Sequence, residues 1–155
     1  MEQFNKITAV SLGALTLILA TACSQSIEPT ATAGPVGISD IPIYGGATPI
    51  DAADSIEASM VIVAMETEIA DTDITLETIA CSLPASATWD DVRAFYTKAL
   101  ESTDWKQIEK LTDESSEHKS IGWSRGTGPG KQILLITCAS NISGEGSTLV
   151  IMLLE

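Results

Sequence analysis

The chain has 155 residues, of which 45% are apolar and 19% charged, and this composition predicts a packed fold rather than a disordered polymer. Eight Lys and Arg against 21 Asp and Glu give a formal net charge of −13. A protein this acidic is repelled by phosphate backbones, which argues against a nucleic-acid partner. The length suffices for one domain with one core.

The first 23 residues have the organisation of a secretion signal. A polar head containing Lys6 precedes residues 7–22, which carry no charge and are followed directly by Cys23. As a helix, this run spans about 24 Å, less than the ~30 Å hydrocarbon core of a bilayer. A signal peptide over residues 1–22 is therefore favoured over a permanent membrane span.

The end of this segment, Leu19-Ala20-Thr21-Ala22-Cys23, resembles the lipobox of bacterial lipoproteins. The resemblance implies that the Cys23 thiol takes a diacylglyceryl group, that cleavage occurs just before Cys23, and that the new amino group is acylated, for example by palmitate. It therefore implies a lipid anchor in a bacterial membrane, with the protein facing the extracytoplasmic side. The alternative is an ordinary cleaved signal peptide, with Cys23 present by coincidence and not lipidated.

The mature chain is predicted to begin with lipidated Cys23 and a flexible tether, together residues 23–37, because Ser, Thr, Ala, Pro and Gly dominate there. A single domain is predicted over residues 38–155. It opens with Ile-Pro-Ile-Tyr-Gly-Gly-Ala-Thr-Pro at 41–49, which indicates an extended segment with a tight turn at the glycines. This segment is similar to the IPxYPGA segment of small uncharacterised secreted bacterial domains, a similarity that implies no activity.

Two β-branched runs come next, and one helix follows them. Residues 60–67 and 74–83 are predicted to form a hairpin around Asp71-Thr72-Asp73. Residues 88–102 are predicted to form an amphipathic helix with Thr88 as its N-cap, since apolar residues recur there at i, i+3, i+4, i+7 and i+8.

Four further strands are predicted from Trp105 to the end of the chain: 105–111, 120–125, 131–140 and 147–155. The predicted fold class is therefore α+β, with an antiparallel sheet of about six strands packed by one amphipathic helix, in the order β-β-α-β-β-β-β.

The sequence offers few candidates for a catalytic or metal-binding site. The single histidine, His118, lies in a polar segment and is expected to be a solvated loop residue rather than a zinc ligand or triad member. A calcium site formed by Glu66, Glu68, Asp71 and Asp73 is a weaker alternative to a solubilising acidic surface. No metal or other cofactor is expected.

Five aromatic residues, Tyr44, Trp89, Tyr96, Trp105 and Trp123, could line a sugar-binding face. Core packing is preferred for Tyr96, which lies on the apolar stripe of the helix, and for Trp123, which alternates with small polar neighbours. Trp89, beside the N-cap, is expected to be partly exposed.

Two cysteines remain once Cys23 is assigned to lipid. A disulfide between Cys81 and Cys138 is expected, because an even pair in an oxidising compartment usually bridges. Two buried free thiols are the alternative.

The last two predicted strands are apolar on both sides, which predicts central positions with both sheet faces covered. One helix covers only one face. The other is expected to be covered by residues 38–58 or by curling of the sheet, or else to bind a second subunit or a ligand. The candidate binding face on this interpretation comprises Ile133, Leu135, Leu149, Ile151 and Leu153.

Two functional hypotheses follow. The first is a non-enzymatic, lipid-anchored domain that binds a protein, a wall component or a small ligand at the envelope. The second is an envelope hydrolase with an unrecognised carboxylate site. The first is preferred because the sequence contains no recognisable nucleophile–base pair.

Overall fold

In a computed structural model of the chain, the structure describes residues 36–115, 118–142 and 146–155. The elements in chain order are β1 (Thr48–Ile50), α1 (Ile56–Ile69), β2 (Leu76–Ser82), α2 (Trp89–Leu100), β3 (Lys106–Glu114), β4 (His118–Arg125), β5 (Gln132–Ser140) and β6 (Ser147–Leu154).

The six strands form one open antiparallel sheet in the order β1-β2-β6-β5-β4-β3. This confirms the predicted α+β class and the antiparallel six-stranded sheet. The two most apolar strands, β5 and β6, lie in the centre, where both faces of a strand are covered. The tight turn near the start of the domain is also present, with Gly46 at φ 83° and the Ala47 N–H donating to the Tyr44 carbonyl over 3.0 Å.

Residues 60–67, predicted as a strand, belong instead to helix α1, so the predicted hairpin with 74–83 is wrong. Over the described residues the order of helices and strands is β-α-β-α-β-β-β-β, with two α-helices where one was predicted. Ser55 begins α1 as its N-cap, accepting a hydrogen bond from the Ala58 N–H over 3.1 Å. The β-branched run is short and is interrupted by good helix formers, and packing on the sheet outweighs its weak strand preference.

Helix α2 confirms the predicted helix at 88–102. The Thr88 hydroxyl accepts from the Asp91 N–H, and the Asp91 carboxylate accepts from the Thr88 N–H over 3.1 Å, which together form a capping box. Hydrogen bonds from the Thr88 hydroxyl and N–H lower the pKa of Asp91 below its usual value. The buried residues Val92, Tyr96 and Leu100 turn one side of α2 toward the sheet.

The helices cover opposite faces of the sheet, which we call the α1 face and the α2 face. On the α2 face, Cys138, Ile136 and Leu134 of β5 lie opposite Leu149, Ile151 and Leu153 of β6. On the α1 face, the buried cluster comprises Ala58, Ala80, Leu135, Val150, Met152 and Leu154. With only one helix predicted, one face of the sheet was expected to need another cover. Helix α1 provides that cover.

The predicted binding face is wrong on two counts. Its residues divide between the two sheet faces, because the cross-strand pairs place Leu149, Ile151 and Leu153 on the α2 face and Ile133 and Leu135 on the α1 face. Four of the five are buried and Ile133 is half-buried, all within a single chain. These side chains belong to the two core clusters or pack against them, and they do not form one open binding face.

The predicted disulfide between Cys81 and Cys138 is also wrong, since both thiols are free and buried. Cys81 and Cys138 pair with Leu149 from opposite sides, so strand β6 lies between them. Two strand spacings separate the Cα atoms by roughly 9–10 Å, whereas a disulfide requires less than about 7 Å. Burial raises the pKa of the Cys138 thiol to about 11 and also raises the pKa of Cys81, so both stay protonated at neutral pH.

Candidate functional site

A groove of about 350 Å³ runs between α1 and the sheet, and we call it the α1 groove. Helix α1 contributes Met60, Val61, Ala64, Met65 and Glu68, and the sheet contributes His118, Ser120, Leu135, Thr137 and Met152. It forms because α1 packs over β2, β6 and β5, while the α1 face continues beyond the helix onto β4. Its wall is mainly apolar, with a few polar groups, which is the usual make-up of a binding site.

The outer side of α1 adds an exposed apolar surface next to this groove. Ile56, Met60 and Val63 are 63%, 56% and 57% exposed, respectively. Their spacing of i, i+4 and i+7 places them in one row along the helix, which we call the α1 ridge. Since Met60 belongs to both the ridge and the groove wall, the two form one continuous apolar surface.

The polar groups of the groove come from both walls. Glu68 lies near the end of α1, and Ser120 donates from its hydroxyl to the Leu111 carbonyl over 3.3 Å. His118 is exposed, as predicted, but it begins strand β4 instead of lying in a loop, and it lines the groove. The sequence did not predict that His118 would line a groove. The groove requires helix α1, and the β-branched run of residues 60–67 had been predicted to form a strand.

The four residues of the calcium alternative follow one another along the chain. Glu66 and Glu68 lie in the last turns of α1, and Asp71 and Asp73 lie between α1 and β2. Within the described ranges, no group of three or more His, Cys, Asp or Glu side chains has the arrangement of a metal site.

A second groove, of about 560 Å³, lies between α2 and the edge of the sheet and is lined by charged groups. Arg93 lies 3.8 Å from Asp90, which also lines this groove, and 2.7 Å from Glu114, which does not. The two carboxylates that line it, Asp90 and Glu101, are about 16 Å apart along the helix axis. Glycoside hydrolysis places its two carboxyl groups roughly 5–9.5 Å apart, so this pair lacks that geometry.

The aromatic residues pack mainly inside the α2 face. Tyr96, Trp105 and Trp123 are buried, which confirms the core positions predicted for Tyr96 and Trp123. Tyr44 and Phe95 contact each other edge to face with ring centroids 5.5 Å apart. Trp89 is half-buried, as expected. The buried rings form core contacts and provide no open platform for a sugar.

The predicted signal peptide, the lipidation site Cys23 and most of the predicted tether lie outside the described residues. Among the residues that the structure does describe, no helix has both the length and the apolar character needed to cross a membrane.

No protein-family model, curated protein or solved structure matches this chain.

Proposed function

We propose that this protein is a lipid-anchored, extracytoplasmic binding domain of the bacterial envelope, with no catalytic activity of its own. The observation that carries the proposal is the continuous apolar surface formed by the α1 groove and the α1 ridge. Contiguous exposed apolar surface is costly in water, and in monomeric proteins it typically marks an interaction site.

The chemistry of the groove supports binding over catalysis. Its lining combines three methionines with Val61, Leu135 and a single carboxylate, Glu68. Methionine is unbranched and polarizable, so it adapts to differently shaped partners. A groove of this kind buries apolar groups of a ligand and orients it through the few polar groups at its edge.

A neutral apolar dye tests the groove directly. We expect the full chain to bind Nile red with a blue shift in its emission, and Ala64→Trp to lose most of that signal because the indole fills the groove. Ala94→Trp makes the same change on α2, in the charged groove, and should bind dye like the parent chain.

Both variants are made in the full chain, so dye bound by the apolar residues 7–22 contributes equally to each. Circular dichroism establishes that both are folded. Equal dye binding by the two variants would remove the observation on which the proposed function depends.

Membrane attachment is tested at Cys23. We expect the protein from bacterial cells to be in the membrane fraction with the mass of a diacylglyceryl modification. Cys23→Ala should remain an unprocessed precursor without that mass, because the thiol is the acceptor of the lipid. Mass spectrometry that found an intact signal segment or an unmodified Cys23 in the wild-type protein would refute the lipid anchor.

A further inference from the structure

We propose that the occupant of the α1 groove and ridge is a positively charged amphipathic helix of another polypeptide. This inference rests on the proposed binding function and adds to it the charge and shape of the partner.

The surroundings of α1 are acidic without a compensating cation in the sequence. From residue 36 to residue 92 the chain contains no Lys or Arg. The segment from the turn before α1 to the start of β2 carries six carboxylates: Asp54, Glu57, Glu66, Glu68, Asp71 and Asp73. Glu68 belongs to the groove wall itself.

At least one of these carboxylates is held in its charged form. Glu57 accepts a hydrogen bond from the Ile142 N–H over 2.7 Å and another from the Ser55 hydroxyl over 3.0 Å. The backbone hydrogen bond from Ile142 is the main cause that lowers the pKa of Glu57 below its usual value. Glu57 follows Ile56, so a fixed negative charge lies at the start of the ridge.

Four of the seven Lys and Arg residues of the described chain lie on the α2 side of the sheet. Arg93 and Lys98 belong to α2. Lys119 pairs with Cys138, and Arg125 with Gln132, which places both on the α2 face. Lys106 is on the α1 face, but at the outer strand β3. The charge distribution therefore directs a cationic partner toward α1.

The same charges argue against the other possible occupants. A second copy of the chain would bring two acidic α1 surfaces together, in a protein with a net charge of −13. An anionic membrane surface would be repelled for the same reason. A cationic amphipathic segment would cover the apolar surface with its apolar side chains and pair its Lys or Arg residues with the carboxylates.

The dimensions fit a helix. From Met60 to Glu68 the groove extends about 12 Å along α1, which is roughly two helical turns. A partner helix with apolar residues at i, i+3, i+4 and i+7 would place them in the groove and against the ridge, with its Lys or Arg residues at the acidic edge.

The test uses two synthetic peptides of about 14 residues. Both have Leu at the apolar positions; the remaining positions are all Lys in the first peptide and all Glu in the second. We expect the full chain to bind the Lys peptide at least about tenfold tighter than the Glu peptide in about 0.01 M salt, by fluorescence anisotropy. In about 1 M salt this difference should largely disappear, because screening removes the contribution of charge.

Two matched variants locate the binding. Ala64→Arg places a cation and a bulky side chain in the groove and should weaken Lys-peptide binding about tenfold or more. Ala94→Arg makes the same change on α2 and should alter it less than about twofold. Equal effects of the two variants would show attraction by net charge alone and would overturn the proposal.

The outcomes also separate this inference from the proposed function. If Nile red binds in the groove but the two peptides bind equally, the binding function stands and the cationic partner is wrong. If sedimentation equilibrium shows a dimer that Ala64→Arg disrupts, the occupant is a second copy. If a Cys23→Ser chain binds phosphatidylglycerol vesicles and Ala64→Glu abolishes this binding, the occupant is a membrane. Either of the last two results overturns the proposal.

Discussion

Replacing Ile151 with Ala is expected to lower the free energy of unfolding by about 2–5 kcal/mol. Ile151 is fully buried at the middle of β6, where it pairs with Ile79 of β2 and Ile136 of β5 on the α2 face. The change removes three carbon atoms from a site enclosed by neighbouring strands, which limits how far the surroundings can relax. Urea unfolding, followed by the fluorescence of the buried Trp105 and Trp123, measures the effect.

The matched control is Val63→Ala on α1. Val63 is 57% exposed, so its truncation should change the free energy of unfolding by no more than about 0.5 kcal/mol. The two variants together distinguish the core from the surface proposed for binding. A loss below about 1 kcal/mol at Ile151 would contradict its place in the core.

Gly122→Ala is expected to destabilise the protein by about 1–3 kcal/mol, although it adds a single methyl group. A Cβ atom at Gly122 would lie 2.7 Å from Cδ1 and 2.8 Å from Cβ of Leu111. Strand β3 causes this close approach, because the pairing of β3 with β4 is irregular between Ile108 and Asp113. Leu111 thereby lies over Gly122 on the α1 face and packs at the border of that core cluster.

A double-mutant series tests this contact. In the Leu111→Ala background the cost of Gly122→Ala should fall, because Cδ1 is gone, but it should not vanish, because the Cβ of residue 111 remains. In the Leu111→Gly background the cost should disappear. Non-additivity of this kind identifies two residues in direct contact.

Gly45→Ala is the control for the effect of adding a methyl to a glycine. A Cβ at Gly45 would meet no atom within 4 Å, so the unfolding free energy should change by no more than about 0.5 kcal/mol. Equal costs at Gly45 and Gly122, measured by urea unfolding, would refute a steric cause at Gly122.

Local patterns in the sequence determined a large part of the fold. Thr88 and Asp91 identify the start of α2, because a capping box depends only on residues three apart. The run of apolar residues in β5 and β6 predicted two central strands, because only a strand covered on both faces can be apolar on both. The turn at Gly46 follows from a backbone conformation that glycine adopts without strain.

The helical state of residues 60–67 and the separation of the two cysteines became clear only from the tertiary structure. The run from Met60 to Thr67 is apolar and β-branched, and such a run does not distinguish a strand from a helix that packs on a sheet. In the structure this run is helical and packs on β6 and β5 through half-buried Val61, Ile62 and Met65. As a helix, it covers the second face of the sheet and forms one wall of the α1 groove. The separation of Cys81 from Cys138 likewise depends on β6 lying between their strands, because strand order arises from long-range pairing that residue spacing along the chain does not encode.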